Sequence, residues 1–486
     1  MDNRKRNIVI AIMVAMFLGA VEGTVVTTAV PTIVKALNGF ELISWVFSLY
    51  LLTSAISTPI YGKLSDLYGR KNTLSAGIII FLLGSSLCGI SQNMYQLIFF
   101  RAIQGLGAGA IFTVTYTIVG DVFSLAERAK VQGWVSSVWG ISSLAGPFLG
   151  GFLIDTLSWH WVFFINIPFG IISIILLRRN LKEDYEVKRH KIDFAGTLAL
   201  SAAIVVLMYG ILSGKKGSGI YSPSIAATSI ITAVLLFIFY FIEKKAAEPI
   251  VPFEIFTKMN TIVNIISFMI SAVLIGADVY MPIYIQNILG FGATISGLSL
   301  APMSVAWLLS SVILAKAIPK YGERLVIALS SLILLISCAF LLLLGVKSSL
   351  ISVIIYSFIM GFGFGGAFTT LTIVVQESVG YEKRGAATAS NSLVRTLGQT
   401  IGVSIFGGLF NSRIVDYFTA LGFRGIDPNS LYSASVLKSG ITIEQIKASV
   451  NSGLHLVYVV FMLLSVLSLV LSLTLGSGLK EKAVSD

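Results

Sequence analysis

Long apolar stretches separated by polar connectors recur from one end of the chain to the other. A membrane-spanning helix needs roughly 20 mostly apolar residues, and fourteen stretches of about that size can be placed. They lie at about residues 8–33, 43–62, 73–91, 95–119, 130–154, 159–177, 194–213, 223–242, 261–285, 293–315, 325–345, 350–376, 386–410 and 453–475. The pattern predicts an all-α integral membrane protein with 14 transmembrane helices. Because that number is even, both termini are expected on the same side of the membrane.

The composition favours a membrane protein over a water-soluble one. Hydrophobic residues make up 56% and charged residues 12% of the 486 positions, and this charged fraction is about half that of a typical soluble domain. The two cysteines, Cys88 and Cys338, each lie within an apolar stretch and not at the spacing of a disulfide or a metal site. The three histidines are scattered along the chain. We therefore predict no metal site and no cofactor.

The net charge of +11 comes from basic residues in the connectors. With the N-terminus placed in the cytoplasm, cytoplasmic connectors and tails hold 24 Lys and Arg residues and the opposite connectors hold 8, while Arg101 and Arg395 lie within spans. Cytoplasmic loops of membrane proteins are enriched in Lys and Arg. The bias predicts a multi-pass protein of the cytoplasmic membrane with both termini cytoplasmic, and it explains the charge without a nucleic-acid partner.

Residues in the first part of the chain recur at nearly constant offsets in the last part. An offset of 256 carries Glu22, Arg128, Gly146 and Gly151 onto Asp278, Arg384, Gly402 and Gly407, and an offset of 260 carries Gly105 onto Gly365 and Arg101 onto Gly361. Two pseudo-symmetric bundles with a substrate site between them are a common basis of transport. We expect a six-helix bundle at 1–178, linkers with two inserted helices at 179–260, and a second six-helix bundle at 261–486 whose connector 411–452 lies outside the cell.

The connector after the second span reads G-K-L-S-D-L-Y-G-R-K over residues 62–71. Glycines permit a tight turn there, and the charges can pair across it. This sequence resembles the signature loop of the major facilitator superfamily. The resemblance implies a cytoplasmic gate in which Asp66 and its basic neighbours lock the two halves in one state. The gate residues are Gly62, Asp66, Gly69, Arg70 and Lys71.

A degenerate second copy of this loop follows the tenth span. Residues 316–324 keep Gly322 and Arg324 but lack the aspartate. We therefore expect the gate to depend mainly on the first copy.

Arg101 lies inside the fourth span, in the pattern L-x-x-x-R-x-x-Q-G-x-G. An arginine at the centre of a span costs about 2.5–3.5 kcal/mol on insertion scales, so it needs a partner or an aqueous cavity. The pattern is similar to the intramembrane arginine motif of the same superfamily, which implies a role in proton coupling. A structural tie near the outer membrane surface explains it equally well.

The fifth span carries a glycine pattern that resembles the antiporter motif of the superfamily. Its residues are Gly140, Gly146, Pro147, Gly150 and Gly151. Small residues let helices approach closely, and the Gly146-Pro147 step permits a bend. The resemblance favours export over import.

Two further segments resemble the fourteen-span drug:proton antiporters of the superfamily. Residues 159–168 read W-H-W-V-F-F-I-N-I-P at the start of the sixth span, where tryptophans also suit a membrane interface. Residues 22–31 resemble the first-span motif of that family, with Glu22 where the family has aspartate. The resemblance implies a proton-coupled antiporter that exports amphipathic, cationic drugs or toxic compounds, acting as a monomer.

Glu22 and Asp278 are the two acidic residues well inside predicted spans. Burial disfavours the charged form of a carboxyl group, so such a group binds either a proton or a cation but not both. We hypothesise that Glu22 is the principal site of proton and cation coupling, together with Asp278 and Arg101. Permanent ion pairs with Arg101 or Arg395 are the structural alternative.

A drug cavity needs aromatic and adaptable walls. The candidate residues are Tyr50, Trp139, Tyr280, Tyr284, Gln286, Trp307 and Arg395. Aromatic residues in spans also face lipid or neighbouring helices, so we expect no more than about half of them to contact substrate.

Other functional classes find little support. The chain has no G-x-x-x-x-G-K-[ST] phosphate loop and no G-x-S-x-G elbow, so neither an ATP-driven exporter nor an enzyme is expected. No residues resemble the selectivity ring of a channel, so a channel is not expected either. The closest alternative is an exporter of an endogenous metabolite, lipid or siderophore.

Overall fold

The computed structural model describes residues 3–123, 125–181, 193–212, 223–246, 256–379, 384–423 and 441–475, with single residues between them. Within these ranges the regular secondary structure is helical throughout. The chain divides into two compact units. Unit 1 contains Met1–Ser201, Lys245–Glu248 and Gly292–Gly297, and unit 2 contains Ala202–Lys244, Pro249–Phe291 and Leu298–Asp486.

Unit 1 is built around helix α1, which packs against α4, α5 and α7. The helices before residue 201 are α1 (Asn3–Leu37), α2 (Ile43–Tyr68), α3 (Arg70–Gly89), α4 (Met94–Val122), α5 (Leu125–Thr156), the short α6 (Trp161–Phe164), α7 (Asn166–Asn180) and the start of α8 (Phe194–Leu212). The Arg4 side chain donates to the Asn180 carbonyl at 2.9 Å, which fastens the start of α1 to the end of α7.

Unit 2 repeats this pattern around α10, which packs against α13, α14 and α15. Its helices are the rest of α8, α9 (Pro223–Lys245), α10 (Lys258–Ile283) with a π-helical extension Tyr284–Ile288, α11 (Ala293–Tyr321), α12 (Glu323–Leu341), α13 (Leu350–Glu377), α14 (Arg384–Ala420) and α15 (Ile443–Leu473). Pro282 precedes the π-helical turn, and such turns form where the regular hydrogen-bond ladder is interrupted.

Twelve helices of the described residues are long and apolar enough to cross a membrane. Helices α5, with 32 residues, and α8, with 19, also coincide with predicted spans. A helix thus lies at each of the predicted stretches, and twelve of the described helices meet the length and polarity of a membrane span.

The connector predicted at 411–452 is shorter than expected, because α14 continues to Ala420 and α15 begins at Ile443. Phe410, Ile414 and Phe418 follow each other at four-residue intervals and are all buried, so this polar segment has an apolar helical face. Thr442 and Gln445 form a capping box that starts α15. Most of the residues between the two helices lie outside the described ranges.

The two units repeat one close helix contact in detail. A Cβ added to Gly105 on α4 would lie 2.3 Å from the Tyr50 carbonyl oxygen of α2, and one added to Gly361 on α13 would lie 2.0 Å from the Met303 carbonyl oxygen of α11. Gly69 and Gly322, which begin the next helices, both adopt positive φ, 85° and 83°. The offset that relates the glycines of α4 and α13 is 256.

The predicted offset of 260, which paired Gly105 with Gly365 and Arg101 with Gly361, is therefore wrong by one helical turn. Gly109 and Gly365, again 256 apart, make the corresponding contacts, with the carbonyls of Ser54 and Trp307 respectively. Glycines recur every four residues in these helices, so a shift of four also superposes glycine on glycine. The steric contacts with α2 and α11 decide between the two alignments.

The close approach of α2 and α4 gives a test of the fold. We expect Gly105→Ala to lower the stability of the protein by about 1–3 kcal/mol, because the added methyl group meets backbone atoms that cannot move aside. Gly23→Ala is the matched control, since an added Cβ there meets nothing within 4 Å. Thermal unfolding of the purified protein in detergent measures both, and equal melting temperatures would contradict this account of the interface.

Candidate functional site

A buried ion pair joins α1 to α4 in unit 1. The Arg101 NH1 atom lies 2.5 Å from Glu22 Oε1, and the two side chains are 1% and 0% exposed. Both charges are thus removed from solvent, which is costly unless each is fully hydrogen-bonded. The structure brings together two of the three residues predicted to couple protons and substrate.

Neighbouring polar groups form hydrogen bonds with both members of the ion pair. Asn166 Nδ2 donates to Glu22 Oε2 at 2.7 Å and to Ser85 Oγ at 3.0 Å. Arg101 donates from NH1 to Gln104 Oε1 at 2.7 Å and from Nε to a carbonyl of α2 at 3.3 Å. Each carboxylate oxygen of Glu22 therefore accepts a hydrogen bond, and α1, α3, α4 and α7 meet at one point. Such networks fix helix positions because each member depends on the others.

Tyr50, predicted as a substrate contact, belongs to this cluster instead. The Arg101 guanidinium lies 4.0 Å from the centroid of the Tyr50 ring, and Tyr50 is 5% exposed. A cation held over an aromatic face is stabilised by the ring quadrupole. In this structure Tyr50 covers the ion pair and is not open to substrate.

Glycines of the predicted antiporter motif hold α5 against α1 next to Glu22. A Cβ at Gly146 would lie 1.9 Å from Thr24 Oγ1, and one at Gly150 would lie 2.9 Å from the Val25 carbonyl. Thr24 also donates across the interface to the Ser142 carbonyl at 3.2 Å. Gly140 is partly exposed and Gly151 is buried, and the Pro147 side chain lies outside the described residues. The motif acts here through close packing on the helix that carries the carboxylate.

The equivalent position in unit 2 lacks the arginine. Arg101 Nε donates to the carbonyl of Val46, and Ser357 Oγ, 256 residues later, donates at 3.4 Å to the carbonyl of Ser299, which is 253 residues after Val46. The offset of 253 also relates Gly69 to Gly322. Ser357 therefore occupies the place of Arg101. The acid does not follow the same relation: a Cβ at Gly146 would meet Thr24 and one at Gly402 would meet Ala272, an offset of 248 that leaves Asp278 about 12 Å further along α10 than the equivalent of Glu22. The predicted pairing of Glu22 with Asp278 at an offset of 256 is therefore wrong.

Two other members of the cluster have also been replaced in unit 2. Ser85 contacts Asn166, and at the equivalent of Ser85 the Cys338 Sγ lies 3.5 Å from Ser465 Oγ. A short hydroxyl on α15 thus stands where unit 1 has an amide. The arginine and the asparagine that satisfy Glu22 thus have no counterpart in unit 2.

Asp278 is partly exposed, and in the described part of the chain no hydrogen bond or ion pair reaches its carboxylate. Its nearest helical neighbours on α10, Ala277 and Val279, are fully buried. An unpaired acidic side chain in a span marks a functional site by default, because only a ligand, a proton or water can offset its desolvation. The two predicted carboxyls therefore differ. Glu22 accepts hydrogen bonds at both carboxylate oxygens, whereas Asp278 accepts none in the described residues.

Arg395 on α14 lies in an aromatic cluster of unit 2. Its NH2 atom donates to the Phe368 carbonyl at 3.2 Å and to Thr372 Oγ1 at 2.9 Å, and its guanidinium lies 4.8 Å from the Phe368 ring centroid. Trp307 stacks on the same Phe368 ring with a centroid distance of 5.1 Å and an interplanar angle of 12°. Arg395 and Trp307, two predicted substrate contacts, thus share one aromatic partner.

Trp139 has the matching position in unit 1. It stacks on Phe112 with a centroid distance of 5.4 Å, and both residues precede Arg395 and Phe368 by 256 positions. Trp139 is 42% exposed. Each unit therefore presents one flat side chain stacked on a phenylalanine.

Three other predicted substrate contacts are core residues in this structure. Tyr280 is 1% exposed and packs against Phe406 and Phe410, Tyr284 donates its hydroxyl to the Gly345 carbonyl at 2.7 Å, and Gln286 is buried. They lie at the end of α10 and in the π-helical turn that follows it. We retain Trp139, Trp307 and Arg395 as candidate substrate contacts.

The gate motif forms the expected turn between α2 and α3. Gly69 adopts φ 85°, a conformation that favours glycine. Arg70 NH1 donates to Ser65 Oγ at 3.1 Å, and Thr73 Oγ1 donates to the Leu64 carbonyl at 3.2 Å. Gly62 and Lys71 are partly buried, and the Asp66 side chain lies outside the description, so the latch stays a prediction.

Sequence reasoning missed the roles of Asn166 and Ser357. Asn166 was part of a motif assigned to the membrane interface, although an amide within an apolar span is itself a signal of a buried partner. Ser357 carries no signal of its own. Its meaning comes only from the position that it shares with Arg101.

Comparison with known proteins places this geometry in a family. The sequence model of the Major Facilitator Superfamily matches residues 12–403. Multidrug resistance protein 3 of Bacillus subtilis (strain 168) is 34% identical over 486 residues, which covers 97% of this chain and 95% of that protein. The multidrug efflux pump SdrM of Staphylococcus aureus (strain N315) is 33% identical over 404 residues, covering 83% of this chain and 89% of that pump.

Solved structures share the fold at much lower identity. A bacterial homolog of the human lysosomal transporter Spinster, in an inward-facing and unoccupied conformation, has a TM-score of 0.72 at 14% identity and covers 99% of this chain and 98% of its own. A D-xylose–proton symporter has a TM-score of 0.64 at 13% identity, with 97% and 98% covered. These likenesses concern the fold alone.

Substitution of the paired carboxyl, Glu22, is expected to lower the stability of the protein more than substitution of the unpaired one, Asp278. We expect Glu22→Gln to destabilise the protein by about 3–5 kcal/mol, because it leaves Arg101 buried without its counter-ion. Replacing both, Glu22→Gln with Arg101→Met, removes the uncompensated charge and is expected to recover most of that loss. Asp278→Asn breaks no pair and is expected to change the melting temperature little.

Thermal unfolding in detergent gives the comparison, with Glu444→Gln as a control on an exposed carboxylate. A double variant no more stable than Glu22→Gln alone would contradict the assignment of the ion pair as the source of the loss.

Proposed function

Since this chain belongs to the Major Facilitator Superfamily, we propose that it is a proton-coupled antiporter that exports amphipathic, preferentially cationic, drugs across the cytoplasmic membrane. We propose a drug as the substrate because this chain is similar over nearly its full length to a multidrug resistance protein. The observation that carries the coupling is the contrast between a paired carboxyl and an unpaired one. Glycine packing of α5 beside Glu22 supports export, by the resemblance to the antiporter motif.

The proposal includes fourteen spans with both termini in the cytoplasm. Helices α5 and α8 add to the twelve apolar helices of the described residues. The distribution of 24 basic residues against 8 supports this orientation. The transporter acts as a monomer on a small-molecule substrate and protons.

Asp278 is the proposed site of exchange in unit 2. A carboxyl group without a fixed partner can hold a proton or a cationic substrate, and one excludes the other. Substrate release on the outside and proton uptake then belong to the same event. The partial exposure of Asp278 supports this role, because both ligands need a route to the carboxylate.

Glu22 is the proposed switch in unit 1. While it is ionised, the pair with Arg101 and the bond from Asn166 hold α1, α4 and α7 together. A proton on Glu22 removes the Coulombic attraction, and a neutral acid can no longer accept from Arg101 as strongly. The helices that meet at Glu22 are thereby released when a proton arrives.

The driving force that a proton gradient offers for this exchange can be bounded. One pH unit supplies ~1.36 kcal/mol per proton, and one charge moved through 100 mV supplies ~2.3 kcal/mol. Exchange of one monovalent cation for one proton moves no net charge and uses the pH difference alone. A neutral substrate draws on the voltage as well.

Everted membrane vesicles test the proposal. We expect energised vesicles to accumulate ethidium and to lose part of their pH gradient when the dye is added. Asp278→Asn is expected to reduce this uptake at least about tenfold, since it removes the cation site without removing a fixed partner. Asp416→Asn is the matched control, because Asp416 is an exposed carboxylate on α14.

Vesicles that contain the protein but take up none of a panel of dyes and antibiotics would contradict the drug substrate and favour an endogenous metabolite, lipid or siderophore. Undiminished uptake by Asp278→Asn would contradict its coupling role.

A further inference from the structure

Arg395 carries a charge inside a helix of unit 2 without an acidic partner. In the part of the chain that the structure describes, no carboxylate lies within ion-pair distance of its guanidinium. Only NH2 makes hydrogen bonds, and Nε is buried without a partner. An arginine presents five N–H donors, so most of its donor capacity is unused.

A purely structural role does not require the charge. Trp139 occupies the equivalent position in unit 1 and stacks on Phe112 as Arg395 stacks on Phe368. The uncharged ring of Trp139 therefore packs well at this position, so packing alone does not require an arginine there. The guanidinium in unit 2 adds donors and a positive charge to the same stacked arrangement, which points to a ligand of opposite charge.

The surroundings of Arg395 suit an aromatic molecule. Trp307, Phe364 and Phe368 form a connected stack, with centroid distances of 5.7 Å between Trp307 and Phe364 and 5.1 Å between Trp307 and Phe368. Trp307 and Arg395 are both partly exposed, so the stack is not closed on all sides. Flat side chains of this kind bind rings without demanding one hydrogen-bond pattern.

We propose that Arg395, Trp307 and Phe368 form a receptor for aromatic anions, in which the guanidinium binds a carboxylate or sulfonate and the rings stack on the aromatic body of the ligand. A charge-assisted hydrogen bond from a guanidinium to a carboxylate is roughly twice as strong as a neutral one. The Nη1 group of Arg395 is not used by Phe368 or Thr372, so it can donate to such an anion. The receptor extends the substrates of the proposed exporter beyond cations, and to that extent it rests on the proposed function.

Equilibrium dialysis on the purified protein in detergent tests this receptor without any transport step. The probes are 1-pyrenebutyrate and its methyl ester, which share the aromatic body and differ in charge. We expect saturable binding of the acid to be about tenfold tighter than that of the ester, because only the acid makes a charge-assisted pair. In Arg395→Gln the ratio of the two dissociation constants is expected to fall towards one, and in Arg395→Lys to lie between, since lysine keeps the charge but not the planar guanidinium.

Arg413→Gln is the matched control, because Arg413 is an exposed arginine on the same helix, and it is expected to keep the wild-type ratio. A wild-type protein that binds acid and ester equally overturns the proposal whether or not the variants fold. A ratio that survives in Arg395→Gln overturns it as well. Because binding is measured apart from export, vesicles that fail to accumulate ethidium would count against the proposed function and leave this assignment standing.

Discussion

The cost of placing a charge in a hydrocarbon environment governs the arrangement of this protein. A charged side chain at the centre of a span must be offset by a partner, by water or by a ligand. Four such side chains are described by the structure, and they use different solutions. Glu22 and Arg101 neutralise each other, and both carboxylate oxygens of Glu22 accept a hydrogen bond, whereas Asp278 and Arg395 have no ion pair in the described residues.

The repeat of the two units shows how this division arose within one architecture. Close backbone contacts are kept, as at Gly105 and Gly361 or at the positive φ angles of Gly69 and Gly322. These contacts define the helix bundle, and a side chain larger than hydrogen does not fit at the interfaces. The polar side chains between them are free to differ. In unit 1 the buried charges of Glu22 and Arg101 neutralise each other, whereas in the described part of unit 2 Asp278 and Arg395 have no ion-pair partner.

The sequence was sufficient for the features that depend on length and polarity, and insufficient for those that depend on neighbours. The helices, the turn at Gly69 and the position of Glu22, Asp278 and Arg101 inside helices follow from apolar runs and from charges within them. The saturation of Glu22 by Asn166 does not, because residues 144 positions apart meet only through the fold. For the same reason the burial of Tyr280 among aromatic residues was not predicted. The correct offset between the α4 and α13 glycines was also missed, because glycines recur every four residues and an alignment shifted by four still pairs glycine with glycine.

The two unpaired charges of unit 2 are opposite in sign, yet they cannot satisfy each other. Added Cβ atoms at Gly398 and Gly402 would touch Phe268 and Ala272, so α10 and α14 run parallel and Arg395 is level with about residue 265 of α10. Asp278 is then roughly 20 Å further along the helix, at 1.5 Å per residue. An ion pair needs about 4 Å, and even a long arginine side chain does not cover this distance. The fold therefore keeps the two unpaired charges at different depths of a single bundle, so the cation proposed for Asp278 and the anion proposed for Arg395 would bind at separate places and would not compete for one.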